Sequence, residues 1–159
     1  MVDDHGGWHP PACSFPDTGY LAGMQDEGLL LRKDAYVEIR LHPEKSMIVL
    51  RWTGFAPSPD FRSILEMAQL NVRRHRIRRW LADLRQMNAI LRQDEQWSIG
   101  DWFPRLASAG LERMAIVASA DYFNQTSVDR IVGAAALEMP FPVTYHPDPV
   151  AAEQWLMEG

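Results

Sequence analysis

The sequence predicts an α/β domain built on a single mixed, mostly parallel five-stranded sheet, in the order β-β-α-β-α-β-α-β-α. Three observations predict it. Two β-like runs stand close together before any helical run. Buried-looking strands then alternate with helical stretches, which implies right-handed crossovers between parallel strands. Finally, Met114-Ala115-Ile116-Val117-Ala118 has the unbroken apolar character of a strand covered on both faces.

Residues 1–28 are rich in Gly, Pro, His and Asp and lack either structural period. They read as a tail, with the domain expected over 31–159. His5, His9 and Cys13 are spaced four apart, as metal ligands on one helical face would be. Gly6, Gly7, Pro10 and Pro11 forbid that helix, so no metal site is assigned.

From Asp34 the pattern changes. Tyr36, Ile39 and Leu41 sit in a β-like run, and Met47 to Trp52 forms a second. His42-Pro43-Glu44-Lys45-Ser46 is a turn by composition, so the two runs should form an antiparallel hairpin. Ser58 is placed to cap a helix, with Pro59 at its first position. Phe61, Ile64, Leu65, Ala68 and Val72 fall on one side of that helix. It fades into Arg73-Arg74-His75-Arg76, and positive charge suits a helix C-terminus.

The stretch Ile77 to Gly110 organises the rest. Ile77–Leu84 reads as a buried strand ending on Asp83. A link over 85–93 follows, then a helix over about 94–109 that Pro104 must kink or restart. Trp97, Trp102 and Leu106 lie along one side of it, with Phe103 pointing elsewhere and partly exposed. Gly110 is a fitting stop. Arg113 to Ala118 is the next strand. Ser119-Ala120-Asp121 ends it and is placed to cap a helix carrying Val128, Ile131, Val132 and Ala135. Phe141 to Tyr145, flanked by prolines, suits an edge strand. Asp148 caps a last helix with Pro149 at its first position.

Composition narrows the function. The chain has 159 residues and is 47% hydrophobic, enough for one domain with a real core. A formal net charge of −5 argues against nucleic acid as a bulk partner. The arginine run 73–79 has no interleaved aromatics, so it reads as a solvated helix end. No apolar run approaches the ~20 residues of a membrane span, and no secretory signal is expected at the N-terminus. The single cysteine, Cys13, fits a reducing cytoplasm.

Taken together, several stretches resemble the STAS fold and, more closely, the small SpoIIAA-like bacterial proteins. They are Trp52-Thr53-Gly54, the Asp83 strand end, Trp102-Phe103-Pro104-Arg105 with Ala109-Gly110-Leu111, and the terminal Ala151-Ala152-Glu153-Gln154-Trp155-Leu156. The resemblance spans about residues 31–159. It implies a cytoplasmic α/β domain from a group mostly lacking an assigned activity, whose wider relatives include anti-sigma factor antagonists and, at fold level, CRAL-TRIO lipid carriers. Those antagonists carry a phosphorylatable serine directly after an aspartate. Here Leu84 follows Asp83, so the phospho-switch does not carry over.

Candidate site residues follow from position. In open α/β sheets ligands gather beyond the carboxyl ends of strands, which selects Asp83, with Asn88 and Asp94 as polar companions, and Ser119, Asp121 and Tyr122 after the central strand. Trp97 and Phe103 would line an apolar pocket between the sheet and the aromatic helix. His146 follows the last strand and reads as a turn residue. No phosphate loop, zinc spacing or nucleophile elbow is present, and no cofactor is implied. The balance is against an enzyme. The expected function is a binding or regulatory module for a protein partner, the alternative a carrier of a small apolar ligand. An edge strand or exposed aromatics would also suit a homodimer.

Overall fold

The hairpin expected near the start of the domain carries a third strand. The structure is a computed structural model that describes residues 28–158; the tail and its His5, His9 and Cys13 lie outside the described residues. Strand β1 (Leu29–Lys33) pairs antiparallel with β2 (Val37–His42), which pairs antiparallel with β3 (Met47–Gly54). The sheet therefore has six strands rather than five, and the boundary expected at residue 31 falls inside β1. An edge strand explains the miss. Leu29 and Leu30 are exposed and a bulge lies between Leu30 and Arg32, so the period-two signal is absent. Arg32 and Lys33 put charge on the edge, as edge strands commonly do.

The other strands, β4 (Arg79–Met87), β5 (Arg113–Val117) and β6 (Val143–His146), run parallel to β3, and spatial order follows sequence order. Right-handed crossovers that step the same way each time put their helices on one face. Those helices are α1 (Ser58–His75), the pair α2 (Arg92–Trp97) and α3 (Phe103–Ala107), and α4 (Tyr122–Ala135). Trp80, Ala82 and Leu84 of β4 share a core with Phe61, Leu106 and Val128 from those helices. The alternate β4 residue Leu81 packs with Ala152 and Leu156 of α5 (Pro149–Met157) on the second face. Period two along one strand thus serves two cores.

Local chemistry sets the helix ends. Asp121 accepts from the Asn124 N–H at 2.9 Å and Asp148 from the Ala151 N–H at 2.8 Å, both as expected. Ser58 departs from expectation. Pro57 is the residue preceding the helix, and the Ser58 hydroxyl donates to Asp94 at 2.8 Å. A buried carboxylate is the stronger acceptor. Beside it, Asp94 also takes the Arg62 Nε at 3.0 Å, and buried Glu95 is paired with Arg130. Consecutive acids thereby tie α2 to α1 and to α4.

Between α2 and α3, Ser98–Trp102 forms a turn of π-helix (the π-turn) that ends two residues before Pro104. Pro104 has no N–H to return to the preceding turn, so the helix widens there and restarts. The wider turn changes which side chains face inward. Trp102 and Phe103, adjacent in sequence, are both buried, with rings 4.8 Å apart. The expectation that Phe103 points away and is partly exposed is corrected by this shift in helical register.

Candidate functional site

The carboxyl edge of the sheet collects most of the residues selected by position. Strands β3, β4 and β5 end there, and the segments that follow are bound to one another. The Ser119 hydroxyl donates to the Met87 carbonyl at 2.6 Å and accepts the Asp121 N–H at 3.0 Å. The Asn124 amide donates to the Asn88 carbonyl at 2.8 Å, and Gln125 donates to the Ser119 carbonyl at 2.6 Å. Asn88, Ser119 and Asp121 are thus brought together, through backbone and capping bonds. Ser119 spends its proton on a carbonyl, which leaves it without the basic partner a nucleophile needs.

On this platform stand exposed aromatics. Tyr122 is 72% exposed and Phe123 69%, with their rings edge-to-face at 5.8 Å. Phe55, just after β3, and Leu91, beyond β4, are also exposed. Beside the platform lies a cavity of about 190 Å³ whose walls include Leu84, Ser119, Asn124, Asp129 and Tyr145. The Tyr145 hydroxyl donates to Asp129 at 2.8 Å. Burial and that bond push the phenol well above its ordinary value, so it stays protonated and cannot act as a base.

Asp83 does not belong to this cluster. It lies inside β4, which continues to Met87, rather than at the strand end. Strand alternation turns it to the face opposite the aromatics. Its companions are Arg85, at 2.8 Å, and Arg51, at 3.5 Å, rather than Asn88 or Asp94. Burial pushes the Asp83 carboxyl up, and the Arg85 hydrogen bonds with the Arg51 charge outweigh it, so the group sits below its ordinary value. The strand was expected to stop at Leu84 because Arg85 and Gln86 are polar. They are polar because α5 covers only part of this face. What remains open is a groove of about 690 Å³, with Glu38, Arg40, Val49, Arg51, Asp83 and Glu153 among its walls.

The aromatics proposed for a pocket, Trp97 and Phe103, are packed against other rings, Phe103 on Trp102, and Trp102 itself is held in place. Trp97 is half-buried, 6.4 Å from the Phe61 ring and with the Arg62 guanidinium 5.2 Å above it. Trp102 donates its indole N–H to the Leu65 carbonyl at 3.0 Å and meets Trp80 at 5.4 Å. The space between the sheet and the aromatic helix is about 80 Å³. A drug-sized molecule needs roughly 300 Å³ or more. His146 is not the turn residue expected: it is the last residue of β6, in register with Val117, where it shares a 2.6 Å hydrogen bond with Thr144 and packs on Trp155.

Phe123, Arg51 and Arg85 were not singled out from sequence. On a regular helix adjacent side chains point about 100° apart, so an adjacent aromatic pair tends to expose a ring, which was a legible signal for Phe123. Arg85 stands two residues from Asp83 and so shares its strand face, legible once the strand is carried past Leu84. Among the described residues, no group of three His, Cys, Asp or Glu is arranged to hold a metal ion, and no helix is long and apolar enough to cross a membrane.

No protein-family model matches the chain, and no curated protein matches it. Among solved structures, it is similar to an uncharacterised protein from the DUF3478 family with a SpoIIAA-like fold, from Shewanella loihica PV-4. The two are 12% identical, the match covers 79% of this chain and 98% of that one, and the TM-score is 0.49.

Proposed function

We propose that this chain is a non-catalytic binding module that docks a protein partner on the carboxyl edge of its sheet. The observation that carries the reading is the exposed Tyr122–Phe123 pair standing on a hydrogen-bonded platform. Single exposed apolar residues are ordinary on protein surfaces. Here Phe55, Leu91, Tyr122 and Phe123 follow three neighbouring strands and emerge along one edge. Large rigid aromatics on a fixed base lose little conformational freedom on binding, which is why they anchor interfaces. The absence of catalysis in this reading follows from the partners of the acids. Asp83, Asp94 and Glu95 are each held by arginine, and Leu84 stands where the antagonists of the resembling group carry their phosphorylatable serine. The reducing cytoplasm remains the compartment of this reading.

The test compares two affinity baits, wild type and the Tyr122→Ser, Phe123→Ser double variant, in an extract of the host. Because both side chains are exposed, the variant should melt within about 0.5 kcal/mol of wild type. The expected result is a partner retained by wild type and lost from the variant. Equal recovery on both baits contradicts the reading.

A further inference from the structure

We propose a second binding surface, on the open face of the sheet away from the aromatic edge, that accepts an acidic peptide segment of a protein partner. Register builds this face. Lys33 of β1 pairs with Glu38 of β2, Glu38 with Arg51 of β3, and Arg51 with Asp83 of β4. One row across four strands therefore alternates in charge. The side chains lie 3.6 Å apart from Lys33 to Glu38, 3.6 Å from Glu38 to Arg51, and 3.5 Å from Arg51 to Asp83. Arg85 extends the row by its 2.8 Å contact with Asp83.

The two signs lie at different depths. Lys33, Arg51 and Arg85 have side chains 67%, 55% and 49% exposed, whereas Glu38 and Asp83 are 19% and 3% exposed. The sunken carboxylates hold the cations upright, and with Arg40, whose Nε donates to Glu38 at 2.9 Å, four cations share two carboxylates. An approaching molecule meets guanidinium and ammonium groups, on a chain whose formal net charge is −5. Charge complementarity of this kind selects an acidic partner and steers its approach.

Shape favours a peptide over a flat anionic surface. The face is a groove of about 690 Å³ bounded by α5 through Pro149, Val150 and Glu153, with Val49 and Leu81 on its floor. Strands lie about 4.8 Å apart, so Lys33 and Arg51, two strands apart, are separated by about 10 Å. Carboxylates spaced along an extended peptide match cations set out in a row of this kind, and displacement by a single small anion is an outcome of the test below.

Fluorescence anisotropy on the full chain tests this, with a short labelled peptide of alternating glutamate and serine and its glutamine counterpart. The glutamate peptide should bind and the glutamine peptide should not. Lys33→Gln with Arg51→Gln should weaken binding about tenfold or more. That variant keeps Arg85 on Asp83 and Arg40 on Glu38, so the fold survives. A control pair in the basic helix end, Arg74→Gln with Arg78→Gln, should leave binding within about twofold. On the wild-type chain, amide shifts induced by the peptide should centre on Val49, Leu81 and Val150. Shifts centred on Tyr122, loss of binding in the control pair, or undiminished binding in the Lys33/Arg51 variant overturns the proposal. So does binding to phosphatidylserine vesicles in place of the peptide, or full displacement by inorganic phosphate at matched ionic strength. The carboxyl-edge reading is independent of every one of these outcomes.

Discussion

Asp83 and Arg85 show how much a single strand residue can depend on its second neighbour. Two apart on β4, they share a face, and Arg85 reaches both Asp83 oxygens, at 2.9 and 2.8 Å. The pair is asymmetric in burial, which makes its two deletions unequal. Asp83→Asn leaves arginines that water can solvate and should cost about 1 kcal/mol. Arg85→Ala leaves a buried carboxylate with only Arg51 beside it. That change should cost about 2 kcal/mol, below a fully buried pair because Arg85 is half exposed. Urea unfolding of both variants measures the difference, and equal costs would contradict the asymmetry. The folded carboxyl lies below the ordinary 3.8, so its contribution is complete above that value and fades as pH falls through the folded one. The stability gap between wild type and Asp83→Asn should therefore narrow as pH falls below the ordinary carboxylate value. A gap that persists unchanged at the acid end would show that the pair is not its source. None of this was legible while the strand was ended at Leu84, because the test for a strand end was polarity. Polarity at Arg85 marks an uncovered face instead.

At the scale of elements, the caps were readable and the backbone exceptions were not. Asp121 and Asp148 announce their helices because a short acidic side chain before a helical run has one good use. The π-turn has no such signature. Pro104 indicated that something must give, but not that Trp102 and Phe103 would both turn inward. Trp102→Ala should cost about 3–5 kcal/mol through its cavity and the lost bond to Leu65, while half-buried Trp97→Ala should cost about 1–2 kcal/mol. Similar losses in thermal melts of the two variants would mean the register around the π-turn is wrong. The end of α1 is a second exception. Arg76 closes the helix with φ of 52°, a left-handed conformation that glycine takes more readily. Arg76→Gly should stabilise the chain by about 0.5–1 kcal/mol, and a lower melting temperature would contradict that account.

Across the whole molecule, alternation of strand and helix was enough to give the parallel core, since Trp80, Ala82 and Leu84 could face only one layer of helices. The edge was harder. Strand β1 has exposed leucines, a bulge and terminal charges, which are the features that keep an edge from pairing and also erase its pattern. The site was legible in part for the same reason. Strand ends pointed to Ser119, Asp121 and Tyr122, whereas the open second face follows from where α5 stops, which no local pattern encodes. The central claim is that the aromatic carboxyl edge docks a protein partner. Site-specific photocrosslinking in the host tests it most directly, with p-benzoylphenylalanine in place of Tyr122 and, as control, in place of Leu70, which is also exposed to solvent, on the far half of α1. A discrete protein adduct from position 122 and none from position 70 is the result predicted; no adduct at 122, or the same adduct from both positions, would contradict it.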